Sequence, residues 1–243
     1  MNTVQVVFKR SRGLINGMLA VLILCLFISC GGDSSESTGQ TGSLSFQIQW
    51  ETAGSDISGQ VADPSGIDCD GEGVFWVNAV IYDRLNQYIT ESDPWHCYAH
   101  AGTMDVPAGS DRKVVIFGKN AANEILYRGQ KSHINVSGNR ITDAGLIVAN
   151  YFVPTDGDST YCGTYPNYYF SWKAVKSAAS YEFQIARDIS FESLMVSVIV
   201  DNPKTDCYSL NYMDNPYYWR VRSFDFDGFK SAWSQIWVHN SAG

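Results

Sequence analysis

Six cysteines, four histidines and a scattering of loop carboxylates are the side chains of this 243-residue sequence best equipped for chemistry. Two of the histidines, His96 and His100, flank Cys97 and Tyr98. Four residues apart on a strand they would share a face, yet lie roughly 13 Å from each other. That is too far to grip one zinc ion, which takes three or four close nitrogen and sulfur ligands. Asp68, Asp70 and Glu72, in the run Asp68-Cys69-Asp70-Gly71-Glu72-Gly73, match the first half of a calcium loop, but the twelfth position is Ala79 where a bidentate glutamate is needed. Asp156-Gly157-Asp158 and Asp225-Phe226-Asp227-Gly228 are similar short acidic pairs, and ordinary turns use the same residues. The sequence contains no G-x-S-x-G elbow, H-E-x-x-H, C-x-x-C, G-x-G-x-x-G or phosphate-binding loop. The expectation is a protein with no catalytic set and no cofactor, with Asp68, Asp70 and Glu72 as weak calcium candidates.

Aromatic residues, 14% of the chain, are the other chemically useful group. Trp50, Trp76, Trp172, Trp219 and Trp233 fall on apolar faces and are expected in cores. Trp95, Tyr98, Phe226 and Phe229 fall in or beside loops, where an aromatic ring can stack on a sugar or anchor a protein partner. These four are the binding-loop candidates.

The elements that must position these residues begin with an address. Lys9, Arg10 and Arg12 precede an almost unbroken apolar run from Gly13 to Ser29, which ends in Leu26-Phe27-Ile28-Ser29-Cys30. A basic start, an apolar stretch and a small residue at the cut describe an export signal. The cysteine directly after Ser29 makes it resemble a bacterial lipoprotein signal. That resemblance implies cleavage after residue 29, lipid on Cys30, attachment to the membrane through that lipid, and, because no Asp follows Cys30, the outer membrane of a Gram-negative cell. The alternative is an ordinary signal or anchor, although the run is short against the ~20 apolar residues a span needs. Residues 31–42 are Gly, Ser, Thr, Gln, Asp and Glu only, so residues 30–42 read as a flexible tether. The removed segment holds three basic and no acidic residues, leaving 14 basic against 25 acidic, a net charge of −11. Such a chain is not expected to bind nucleic acid, which requires clustered Lys and Arg.

Beyond the tether the pattern is all β. Leu44, Phe46, Ile48 and Trp50 alternate on one face of residues 43–50. Strands follow at 75–82, 87–90, 95–100, 102–106, 112–119, 124–129, 133–136 and 141–148, separated by Gly, Pro, Asn and Asp turns. Residues 151–160 carry no apolar period and read as a linker. A second set of strands covers 168–175, 180–188, 194–200, 207–210, 217–224 and 233–239. Export makes disulfides the default for Cys69, Cys97, Cys162 and Cys207. Of three possible pairings, the boundary between the two strand sets favours Cys69–Cys97 and Cys162–Cys207.

Phe170-Ser171-Trp172, Ala178-Ala179-Ser180-Tyr181-Glu182-Phe183-Gln184-Ile185, Tyr217-Tyr218-Trp219-Arg220-Val221-Arg222 and Ser231-Ala232-Trp233-Ser234 together resemble a fibronectin type III domain of the bacterial kind over residues 161–240. The resemblance implies a β-sandwich with Trp172 filling its core and Tyr217 at the strand-entry corner. Residues 43–150 are similar to immunoglobulin-like or transthyretin-like sandwiches. The chain is thus expected to be two tandem sandwiches held at a membrane, working by binding, adhesion or spacing toward a protein or glycan partner. A carbohydrate-binding surface protein using loop aromatics is the first alternative, and a hydrolase using the acidic loops the second.

Overall fold

The computed structural model describes residues 39–51, 69, 73–98, 101–163, 165–210 and 216–240. The first module consists of β1 (Thr41–Glu51), β2 (Trp76–Tyr82), β3 (Tyr88–Glu91), β4 (Trp95–His96), β5 (Ala101–Pro107), β6 (Gly109–Lys119), β7 (Ile125–Val136) and β8 (Ile141–Tyr151). They form one sheet in the order β3-β2-β6-β7-β8-β1-β5, with β4 beside β2. Strand period two explains β1, where Leu44, Phe46, Ile48 and Trp50 are buried and their neighbours face away. β7 and β8 pair only over Tyr127–Gly129 and Ala149–Tyr151. The sheet folds over at this short contact, so that side chains from β1, β2, β5, β6, β7 and β8 meet in one core. Trp50 and Tyr127 meet edge-to-face at its centre, 5.3 Å between ring centroids.

The second module has β9 (Asp158–Tyr161), β10 (Asn167–Ser171), β11 (Ser180–Ala186), β12 (Leu194–Val200), β13 (Tyr208–Ser209), β14 (Tyr217–Phe224) and β15 (Trp237–His239). A three-stranded sheet, β13-β10-β9, faces a four-stranded one, β12-β11-β14-β15. Phe170, Trp172, Phe183 and Trp219 fill the space between them. The Trp172 indole stacks parallel to Phe183, and Tyr217 is fully buried. The chain is all β, built as immunoglobulin-like and fibronectin type III-like sandwiches.

Several elements differ from the sequence expectation for local reasons. Residues 125–129 and 133–136 are one strand, β7, because a register shift between Arg112 and Val114 of β6 keeps the exposed Gln130–His133 in the ladder. Asp158–Thr160, in the stretch expected as linker, belongs to β9. Trp76 and Trp233 lie on outward faces, only partly buried. Disulfides join Cys69 to Cys97 and Cys162 to Cys207.

A sandwich strand normally buries one face. β2 buries nearly both: Val77, Ala79 and Ile81 enter the first core, while Val80 and Tyr82 on the other face join a separate apolar cluster with Val115, Phe117, Ile125 and Phe152. Val175, Ala178 and Phe229 of the second module close that cluster. The two modules therefore share a third, smaller core.

Candidate functional site

The rim of this shared core is charged and largely dry. Arg128 on β7 donates from Nε to Asp225 of the turn after β14, with side chains 4% and 0% exposed. Its Nη2 lies 3.2 Å from Asp227 Oδ2. Lys113 on β6 reaches Asp227 at 2.9 Å, and Asn86 donates to the same carboxylate at 2.8 Å. Asp225 also accepts from the backbone amides of Asp227 and Phe229 at 2.9 and 2.8 Å, which shapes the turn that presents both acids. Burial would push the Asp227 carboxyl up, but hydrogen bonds from Asn86 and Lys113 and the charges of Lys113 and Arg128 hold it below the ordinary carboxylate value. Burial, reinforced by Asp227 and Asp225, pushes the Tyr82 phenol upward. Two further hydrogen bonds complete the junction: Ala232 N donates to Ile125 O at 2.8 Å, and the Ser223 hydroxyl donates to Phe152 O. The 225–228 acidic pair, a calcium or acid–base candidate by type, is thus occupied by cations of the same chain.

The four loop aromatics go to four different places. Phe229 is spent on the junction, its ring 4.5 Å from that of Phe117. Phe226, three residues earlier, is 84% exposed. Trp95 and His96 take opposite sides of β4, and Tyr98, in the turn after it, lies on the His96 side. Trp95 turns inward beside Phe46, 5.9 Å between rings, and lies close over Gly102 of β5, where any Cβ would collide with both rings. Outward, His96 stacks on Tyr98 at 4.9 Å and 10°, with Phe75 and Trp76 edge-on around it. The structure brings together an aromatic group of Phe75, Trp76, His96 and Tyr98, of which the sequence reading singled out only Tyr98 as a binding candidate.

Trp95 also lines an open cleft of about 480 Å³ between the Glu91–Trp95 segment and β5, the two sides at which the folded sheet does not close. Glu91, Asp93 and Asp105 give it an acidic lining, with Ser92 and Thr103 hydroxyls among them. Asp105 is shared with a second cleft of about 330 Å³ that includes Arg140. The carboxylates can accept hydrogen bonds from hydroxyl groups, and Trp95 is the one aromatic residue of the lining.

The outward face of β14 carries a different arrangement. Arg220 lies over Phe191 and Trp233 at 4.0 and 4.2 Å, and Arg222 over Trp233 at 4.3 Å. Lys230 extends the series over Phe224 at 5.4 Å. Gln184 accepts from Arg220, and Glu182 from Arg222 at 2.8 Å. Desolvation, then the neighbouring Arg222, lowers the Arg220 pKa. This face is filled by its own chain.

Cys30, Asp68, Asp70, Glu72 and His100 lie outside the described residues. Among the described residues no group of three or more His, Cys, Asp or Glu side chains is placed to hold a metal ion.

No protein-family profile and no curated protein sequence matches the chain. Among solved structures it is similar to a two-domain fibronectin type III segment of chicken tenascin, at 12% identity and a TM-score of 0.33, covering 68% of this chain and 83% of that one. It is also similar to a DUF3823 family protein from Bacteroides ovatus, at 11% identity and a TM-score of 0.30, covering 83% of this chain and 100% of that one.

Proposed function

We propose that this chain is an exported lipoprotein, anchored through lipid on Cys30 at the outer membrane of a Gram-negative cell, which acts as a non-catalytic binding, adhesion or spacer module. The junction supports this reading more than any other feature. Its buried Arg128–Asp225 pair, the shared apolar core and the Ala232–Ile125 backbone bond hold two sandwiches in one orientation. Two modules held in a fixed orientation suit presentation of a surface and do not need a reaction centre. Mass spectrometry of the N-terminal peptide from intact cells is expected to find a diacylglyceryl-modified Cys30; an unmodified, uncleaved N-terminus would overturn the anchor. Affinity capture from the same cells then identifies the protein or glycan held.

The cleft beside Trp95 favours one specific version, in which the ligand is a carbohydrate. An aromatic wall with carboxylate and hydroxyl acceptors matches the alternating apolar faces and hydroxyl edges of a sugar. Binding on a glycan array that is lost in Asp93→Ala, a change at an exposed position, supports the cleft; binding that survives Asp93→Ala but falls with Phe226→Ser moves the site to the exposed phenylalanine.

A further inference from the structure

Every sheet here has open edges, and most of them are blunted. β3 is four residues long and ends in Glu91; β5 carries Asp105 and ends in Pro107; β9 is four residues starting at Asp158. β13 and β15 are two and three residues long. Shortness, charge and proline are the means by which proteins prevent an edge from pairing with another chain. β12 has none of them. Leu194-Met195-Val196-Ser197-Val198-Ile199-Val200 is seven residues without charge or proline, bonded among the described strands to β11 alone. Its one irregularity is a register shift that makes Met195 an extra residue near one end. Val196, Val198 and Val200 pack on the second core, whereas Leu194, Met195 and Ile199 are 46%, 39% and 57% exposed.

The edge is also held in place before any partner arrives. Asp188 accepts from the Ser190 hydroxyl at 2.6 Å and from the amides of Glu192 and Ser193 at 3.0 and 2.6 Å, fixing the turn that leads into β12. A preorganised strand loses little further entropy on pairing.

The order of residues indicates what this edge fits. Outward from Ser197 the strand is nearly its own mirror: Val196 with Val198, Met195 with Ile199, Leu194 with Val200. We infer that β12 is a self-pairing edge, through which two copies of this chain dimerise antiparallel about a two-fold axis at Ser197. Each four-stranded sheet then becomes half of an eight-stranded one. Valines meet on the core side, and Met195 of each copy meets Ile199 of the other on the outer side, as cross-strand pairing requires. Charge agrees with this choice. The whole chain carries −8, which repels a second copy generally, while the seven-residue edge is uncharged and its neighbour Glu182 is already paired with Arg222. Such a contact closes on itself, so it yields dimers and not fibres. Seven residues at ~3.4 Å make about 24 Å of edge. Two such edges bury on the order of 600–800 Å², less than the roughly 1,200 Å² at which standard interfaces begin. The pair is therefore weak when dilute and forms where copies are crowded. Crowding at a membrane rests on the anchoring proposed above; the edge itself does not.

Cross-linking tests the edge in the full chain purified in mild detergent. A short thiol–thiol cross-linker is expected to couple Ser197→Cys into dimers, without trimers, about tenfold more than Ser110→Cys, an exposed position on β6. Adding Ile199→Lys to Ser197→Cys is expected to remove that excess with no change in melting temperature, since Ile199 is an exposed side chain. Equal coupling at positions 197 and 110 at high micromolar protein, or coupling that survives Ile199→Lys, overturns the proposal. Reconstituting protein from cells on vesicles separates the two readings: coupling in concentrated detergent with no gain on vesicles keeps the edge and counts against the anchor.

Discussion

Two of the sheet faces that turn away from their own sandwich core are covered by different means. The outer face of β2 and β6 is covered by another module. The outer face of β14 is covered by side chains of its own sandwich, in the Arg220, Trp233, Arg222 series. The first solution buries an ion pair and apolar surface and couples two units. The second leaves guanidinium groups partly wet, flat against rings, and couples nothing beyond its own sheet. The difference predicts that damage to the first is felt by both modules and damage to the second by one.

The sharpest way to break the comparison is at Arg128. Arg128→Met removes the charge that neutralises a fully buried Asp225, and an uncompensated buried charge costs about 3–5 kcal/mol. Thermal unfolding is expected to separate into two transitions. A single transition at nearly the original temperature would show that the junction contributes little. Phe229→Ser comes next, at about 2–3 kcal/mol, because it opens a gap against Phe117 and places a hydroxyl in the shared core. Trp233→Ala, on the other face, removes two cation–π contacts at roughly 0.5–2 kcal/mol each, and only the second module's transition is expected to move. A shift of both transitions would erase the distinction between the faces.

Acid separates the same regions without mutation. Burial lowers the pKa of His239, whose Nδ1 lies 2.8 Å from the Ser159 hydroxyl, below the ordinary 6.5. A folded value below the unfolded one means that the neutral ring's contribution is complete above pH 6.5 and drains away as pH falls through the folded value. Asp227 is also depressed, from 3.8, so its contribution to the junction is complete above that value and is lost only below it. On lowering the pH, the second module is expected to soften before the junction does. Melting followed between pH 7.5 and 3, with a His239→Asn control that flattens the upper part of the profile, checks the order.

The two faces also differ in how visibly the sequence carries them. Alternation of Tyr217, Trp219 and Val221 with Arg220 and Arg222 marks both sides of β14, and a single face of apolar residues marks β1. The junction left only a partial trace. Trp76-Val77-Asn78-Ala79-Val80-Ile81-Tyr82 is apolar at almost every position, the signature of a strand covered on both sides, yet this shows that a cover exists and not what it is. Arg128 and Asp225 are 97 residues apart, and no local period connects them. Acid-rich turns look alike in sequence whether they wait for calcium or for an arginine of the same fold. Strand β7 was obscured because Gln130–His133, polar and exposed, interrupt the apolar pattern without interrupting the ladder. Trp233 resembles a core residue because tryptophan on an apolar run usually is one; here two arginines supply the cover.

The smallest expected effect lies within one turn and separates junction from free surface. Phe226 and Phe229 are three residues apart and alike in type, and both look like tips of a recognition loop. The Asp225 carboxylate, by accepting the amides of Asp227 and Phe229, curls the turn so that Phe229 points into the shared core and Phe226 away from it. Phe226→Ser removes a ring that is 84% exposed, so stability is expected to change by less than about 0.5 kcal/mol. A ring this exposed at the edge of the junction adds little to folding. If Phe226→Ser is as costly as Phe229→Ser in chemical denaturation, the turn packs against the first module through both rings, and the junction extends farther than the buried charges indicate. If it is neutral in stability but weakens capture of a partner from cells, the junction serves to aim this ring outward.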